Sequence, residues 1–275
     1  MPAKSRTYQP QKVRAALAAQ TEALRTVVHG LTADRLELPT RLGSWRVREL
    51  LAHLSLALGR LPAAPDAPAP DAPAPDGPVL SLAGYAELSG TMAGAVDEVV
   101  TEHAATGFAG PLAEVVAAFD RSLDEVMAVL DRSAGADPEA TAVVVGRRML
   151  LTDYLVTRLV EAVVHADDLA DALGLEAFPH DRQALAAVTR MLADAFADHA
   201  PGGAVELRVP PYAVVQAVPG PKHTRGTPPN VVETDPLTWI RLATGRADWA
   251  ASVEEAAVSA SGERSDLRAY LPVFG

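Results

Sequence analysis

The stretch from residue 147 to 173 constrains this 275-residue chain most, because its apolar side chains leave almost no side of a helix polar. Leu151, Leu155, Leu159, Val160, Val163, Val164 and Leu169 spread nearly all the way round when each residue turns the helix by about 100°. A helix of that kind belongs inside a bundle rather than on its surface. One narrow row breaks the pattern. Tyr154, Arg158, Glu161, His165 and Asp168 fall within a sector of roughly 80°. Burying such a row without partners costs roughly 2 kcal/mol or more for each unsatisfied group, so something must satisfy it. Gly174 then provides a natural stop.

The rest of the chain divides around that helix. Residues 11–30 carry Val13, Leu17, Leu24 and Val28 near helical spacing. A second helix, with Ser44 as its N-cap, runs to about residue 59 and shows the stripe Val47, Leu50, Leu51, Leu54 and Leu58. Residues 61–78 (LPAAPDAPAPDAPAPDGP) are rich in proline, which lacks a backbone donor and favours an extended path, so this is expected to be a surface insertion. Helices are expected at about 79–103, 110–133 and 181–199. After Pro201 and the Gly202-Gly203 pair the character changes. VELRV, YAVVQAV, VVET and AAVSASG read as strands, and Asp235-Pro236 reads as an N-cap with proline at the first helical position. The expected fold class is α+β, with a helical bundle over 1–200 and a small α/β domain over 201–275.

Composition narrows the function. A net charge of -11 argues against nucleic acid, since neutralising phosphates needs clustered Lys and Arg. It argues equally against docking on anionic lipid. The chain has no cysteine, so disulfides, thiolate ligands and a Cys nucleophile are excluded. Any thiol chemistry must use a thiol brought in from outside. The polar N-terminus and the lack of a long apolar run point to a soluble, cytoplasmic protein without a membrane span.

The polar row holds the chemistry. Glu161 and His165 stand at i and i+4, with Cβ atoms roughly 6 Å apart on one face, a workable bite for one divalent ion. A third ligand must come from another helix, and His53 lies at the border of its own apolar stripe. One carboxylate and two imidazoles suit zinc, and also nickel or ferrous iron. Asp168, three residues after His165, is placed to hold the second ring nitrogen of that histidine. Other readings stand beside this one. An isolated Glu–His pair is commonly a helix-surface contact, His53 alone fits a hydrogen-bonded core histidine, and Arg158 could simply pair with Glu161. His29, His103, His180 and His199 fall in expected loops or helix ends and read as solvated.

W-x-V-x-E-L-L-A-H-L at 45–54, together with R-L-V-E-A-V-V-H-A-D-D-L-A at 158–170, resembles the mycothiol-dependent maleylpyruvate isomerase family. The resemblance implies a DinB-like four-helix bundle with zinc held by His53, Glu161 and His165. It implies mycothiol as a possible cofactor and a small-molecule substrate. The Pro-rich insertion departs from the family pattern just after His53.

The C-terminal W-I-R-L-A-T-G-R and V-S-A-S-G-E-R-S-D-L-R-A-Y-L-P-V-F are similar to sterol-carrier type-2-like domains, and residues 219–239 resemble a bacterial sterol-carrier-family subgroup. Lys222 and His223 read as parts of a rigid connecting loop. Arg225 and Arg246 read either as anchors or as a guanidinium fork for a substrate carboxylate. An Arg of the second domain assists substrate binding in the isomerase relatives, and Arg246 is its closest match, so it is the expected catalytic residue. Three functions stay open: an isomerase or thiol transferase with a divalent metal; a carrier of lipid or another apolar ligand with a structural metal; and a bundle with a regulatory role and no turnover.

Overall fold

The computed structural model describes residues 6–59, 77–91, 93–221 and 228–274. The Pro-rich insertion, apart from Gly77 and Pro78, lies outside the described residues, as do Lys222, His223 and Arg225. Along the chain the helices are α1 (Pro10–His29), α2 (Val47–Gly59), α3 (Leu82–Ser89), α4 (Ala93–Gly107), α5 (Leu112–Arg132), α6 (Leu151–Leu173), α7 (Arg182–His199), α8 (Pro236–Ala243) and α9 (Trp249–Glu254). The strands are β1 (Thr141–Val144), β2 (Arg147–Leu150), β3 (Val205–Val209), β4 (Ala213–Ala217), β5 (Val231–Thr234) and β6 (Val258–Ser261). A helical N-terminal region is thus followed by a small sheet-containing region, an α+β arrangement.

The chain forms two compact units, one of Tyr8–Ser81 and Met92–Ala184, the other of Met1–Thr7, Leu82–Thr91 and Leu185–Gly275. In the first, α1 and α2 each pack on both α5 and α6, and α4 packs on α2. Leu17, Leu24, Leu50, Leu51, Leu54, Phe119, Leu123, Val156, Leu159, Val160 and Val163 are fully buried between them. Each such side chain contributes roughly 1.5–3 kcal/mol relative to exposure. As the all-round apolar pattern requires, α6 is buried on nearly every side.

Buried polar groups knit the helices as well. Gln20 on α1 donates to the carbonyl of Ala162 at 3.4 Å and lies 3.2 Å from Nδ1 of His180, while its own carbonyl accepts from the Asp181 N–H. Asp181 in turn accepts from the N–H groups of Gln183 and Ala184 and caps α7.

In the second unit the sheet order is β4-β3-β5-β6, with β3 parallel to β5 and the other neighbours antiparallel. Val205, Leu207 and Val209 of β3 face the core, while Glu206 and Arg208 alternate outward, the period of two expected of a half-covered strand. Pro210-Pro211 lie in the turn between β3 and edge strand β4, where missing N–H donors interrupt no ladder. Phe196 of α7 meets Trp239 of α8 edge-on at 5.5 Å in this core. Asp235 caps α8 by accepting from Leu237 and Thr238, with Pro236 at the first position, as its sequence indicates. The compact division falls inside α7 at residue 184, whereas composition changes only at Pro201. Packing follows the buried face of α7, which composition does not reveal.

Several local expectations are corrected. The helix expected over 79–103 is two helices, broken where Ser89 and Thr91 turn their hydroxyls back onto the carbonyls of Ala86 and Leu88 around Gly90. Residues 147–150 form a strand, not the first turn of α6. They close a hairpin with β1 through the two-residue turn Val145-Gly146, both at positive φ, a mirror-image turn that suits strand twist. Ser44 does not cap α2. That helix starts at Val47, and Glu49 reaches back to accept from the N–H of Arg46. His103 and His180 are partly buried and hydrogen-bonded rather than solvated, and His29 pairs with Asp120.

Candidate metal centre

The polar row of α6 meets α2 within the bundle. Arg158 and Asp168 are buried, and Tyr154 lies beside Arg158, whose guanidinium carbon sits 4.9 Å from the Tyr154 ring centroid. Arg158 donates to the carbonyl of Ala57 on α2 at 2.8 Å and to the hydroxyl of Thr157, and reaches to 3.9 Å from Glu161. The partners that burial demanded are therefore supplied partly by the backbone of α2.

His53, Glu161 and His165 converge. Oε2 of Glu161 lies 3.2 Å from Nε2 of His53 and 3.3 Å from Nε2 of His165. The two imidazoles stand edge to face at 4.4 Å. One ligand atom from each residue lies within 4.8 Å of the others, the one such His/Asp/Glu cluster among the described residues. The edges of a tetrahedron with metal–nitrogen and metal–oxygen bonds of zinc length measure about 3.3–3.4 Å, close to both observed separations.

Electrostatics test the fit. Nδ1 of His165 lies 2.8 Å from Oδ2 of Asp168, so a neutral ring gives its hydrogen to that carboxylate and turns only a lone pair toward Glu161. Two acceptors 3.3 Å apart need a proton or a cation between them. Burial lowers the pKa of His53, and His165 beside it acts in the same direction. Burial alone would raise Glu161, but the bonds with His165 and His53 and the nearby Arg158 hold it well below the usual carboxylate range. Burial also opposes charge on His165, yet Asp168 and Glu161 outweigh it and raise its pKa. An ionised carboxylate, a neutral imidazole and a second imidazole fixed by a carboxylate form a donor set suited to a divalent ion.

Two features of the surroundings escaped sequence reasoning. Arg41, in the loop before α2, places Nε 2.5 Å from Oδ1 of Asp168 and Nη2 2.5 Å from Oδ2 of Asp167. Two adjacent carboxylates in so apolar a helix are the one signal that a cation had to come from elsewhere. Burial works against Arg41, but its contacts with Asp168 and Asp167 raise its pKa and keep it charged. Trp45 lies 5.2 Å from His53, ring to ring.

Residues 17–170, more than half of the chain, match the family described as mycothiol maleylpyruvate isomerase N-terminal domain. The chain belongs to this family. The first and second motifs of the isomerase resemblance both lie within the matched span, and they contribute the three converging side chains. Residues 181–273 match a second family, described as bacterial SCP ortholog, in line with the sterol-carrier resemblance of the C-terminal stretch. No curated protein matches the chain. Among solved structures, a crystal structure of the mycothiol-dependent maleylpyruvate isomerase shares the fold at TM-score 0.59 and 13% identity, covering 98% of this chain and 97% of its own. A histidine-to-alanine mutant of the mycothiol-dependent maleylpyruvate isomerase gives TM-score 0.58 and 14% identity over the same shares.

The isomerase-family bundle thus brings together His53, Glu161 and His165. Arg246 belongs to the other compact unit, where it follows α8. Its N–H bonds to the carbonyl of Arg241, and its Nη1 donates to the carbonyl of Thr244 at 2.7 Å. No helix among the described residues is long and apolar enough to cross a membrane.

Proposed function

We propose that this chain is a metal-dependent enzyme of the mycothiol-dependent isomerase or thiol-transferase type, acting on a small carboxylate-bearing or electrophilic substrate. The observation that carries this reading is the convergence of His53, Glu161 and His165 at zinc-like separations inside a bundle of the isomerase family. These three residues would hold zinc or another divalent ion, which supplies Lewis acidity toward a thiol sulfur or a substrate carbonyl. The chain's own residues do the rest. Asp168 accepts the Nδ1 hydrogen of His165 and keeps the opposite nitrogen free to ligate. Arg158 offsets the charge of Glu161, and Trp45 shields His53 from water. With no cysteine in the chain, the thiol arrives with a small molecule, for which mycothiol is the candidate. A cytoplasmic setting would keep that thiol reduced. Arg246 is the residue we assign to a substrate carboxylate.

The bacterial SCP ortholog match over 181–273 favours a second reading, a carrier of lipid or a small apolar ligand with a structural metal. Cobalt-loaded protein separates the two. An enzyme must keep an exchangeable coordination position, so adding mycothiol should produce a sulfur-to-cobalt charge-transfer band and release a proton. Absence of that band in fully loaded protein would overturn the thiol-enzyme reading and leave the carrier.

A further inference from the structure

We propose that Arg41 is a positioning residue of this centre, fixing the tautomer and ring orientation of His165 through Asp168. The proposal rests on the functional reading above for the metal, but not for the geometry. Asp168 is fully buried, and its two oxygens serve different partners. Oδ2 takes Nδ1 of His165 and Oδ1 takes Nε of Arg41. Rotating the carboxylate would break both bonds, so the guanidinium sets the plane in which the His165 hydrogen must lie. The second arm of the same guanidinium binds the buried Asp167. A fork spanning two consecutive carboxylates defines direction as well as charge.

The loop that delivers Arg41 is itself closed. The N–H and hydroxyl of Thr40 both donate to the carbonyl of Trp45, Leu42 N–H donates to the Thr40 hydroxyl, and Trp45 N–H donates to the carbonyl of Leu42. Residues 40–45 therefore act as one rigid piece, and the side chain of Arg41 is held at its root. Without the guanidinium, Asp168 would turn to find other donors, and His165 would sample the tautomer with hydrogen on Nε2, which cannot ligate.

The test compares full-length wild type with Arg41→Lys, Arg41→Ala and Asp168→Asn. Two quantities are read: the His165 ring tautomer in metal-free protein by long-range proton–nitrogen NMR, at a pH where the ring is neutral, and zinc affinity by competition with a chromophoric chelator. Wild type should show Nδ1–H, and the variants a mixture of both tautomers. Zinc affinity should fall roughly 10- to 100-fold in Arg41→Ala and Asp168→Asn, as for other partners of metal-bound histidines, and less in Arg41→Lys. Arg41→Lys keeps a positive charge between the two buried carboxylates but cannot bridge them, so it remains decisive if the alanine variant fails to fold. A His165 tautomer unchanged in Arg41→Lys overturns the proposal. If wild type binds no zinc, the functional reading fails, while the metal-free tautomer comparison still decides the role of Arg41.

Discussion

Trp45 lays its ring 5.2 Å from that of His53, tilted by 41°, while its indole Nε1 donates to Asp97 of α4 at 2.7 Å. A paramagnetic ion held by His53 would therefore sit close to a fluorophore. Adding cobalt should quench part of the tryptophan emission with the same midpoint as binding, and Trp45→Phe should abolish the quenching. Quenching retained in Trp45→Phe protein would place the ion elsewhere.

His53→Ala and His165→Ala should each lower zinc content well below one ion per chain. The same ion should stabilise wild type by about 2.7 kcal/mol when free zinc is 100 times its Kd. That gain is read as a rise in Tm. Neither histidine variant should show it. A full zinc-dependent rise in His53→Ala would refute the three-ligand assignment.

Asp153, in the first turn of α6, has a raised pKa because burial disfavours its charge. A carboxyl whose folded pKa exceeds its unfolded one costs stability above that folded value, and the cost disappears as pH falls through it. Asp153→Asn should thus be slightly more stable than wild type at pH 7, by under about 0.5 kcal/mol after solvent screening. The advantage should vanish on acidification toward the ordinary carboxyl range. Chemical unfolding at two pH values checks the sign.

Arg246→Ala should leave the cobalt–thiol band intact while raising KM for a carboxylate substrate. A charge-assisted contact is worth about 1.5–3 kcal/mol, or roughly 10- to 150-fold. An unchanged KM would release Arg246 from substrate binding and leave it as the residue that closes the end of α8 through Thr244.

Periodicity made the centre of the bundle legible, because a helix with Leu and Val on every side has only one place to go. The Glu161–His165 pair was legible for the same reason, since i and i+4 fix a common face. Arg41 was not. It sits in a short loop without periodicity, and its role depends on where that loop is closed by Thr40 and Trp45, which is a matter of backbone hydrogen bonds. The β1–β2 hairpin was missed because its turn is Val145-Gly146, where a β-branched residue occupies a positive φ that Asn or Gly usually takes. Tertiary partners, not local preference, decided where α3 and the part of α7 after residue 184 belong. Their buried faces look like those of any amphipathic helix, and nothing in them says which core they serve.

His53 and Glu161 stand 108 positions apart in the chain, yet what joins them is the packing of α2 directly on α6. Lengthening a connecting loop raises the cost of closing it only logarithmically, about 0.6 kcal/mol for each doubling. The loops in the interval between these helices are thus free to grow or shrink over evolutionary time without moving the three donors, whereas α5, whose Phe119 and Leu123 are buried in the bundle, is not. Heredity of the centre resides in two short words of sequence, at 45–54 and 158–170, with Arg41 just ahead of the first, and only the loops between them can be rewritten at will.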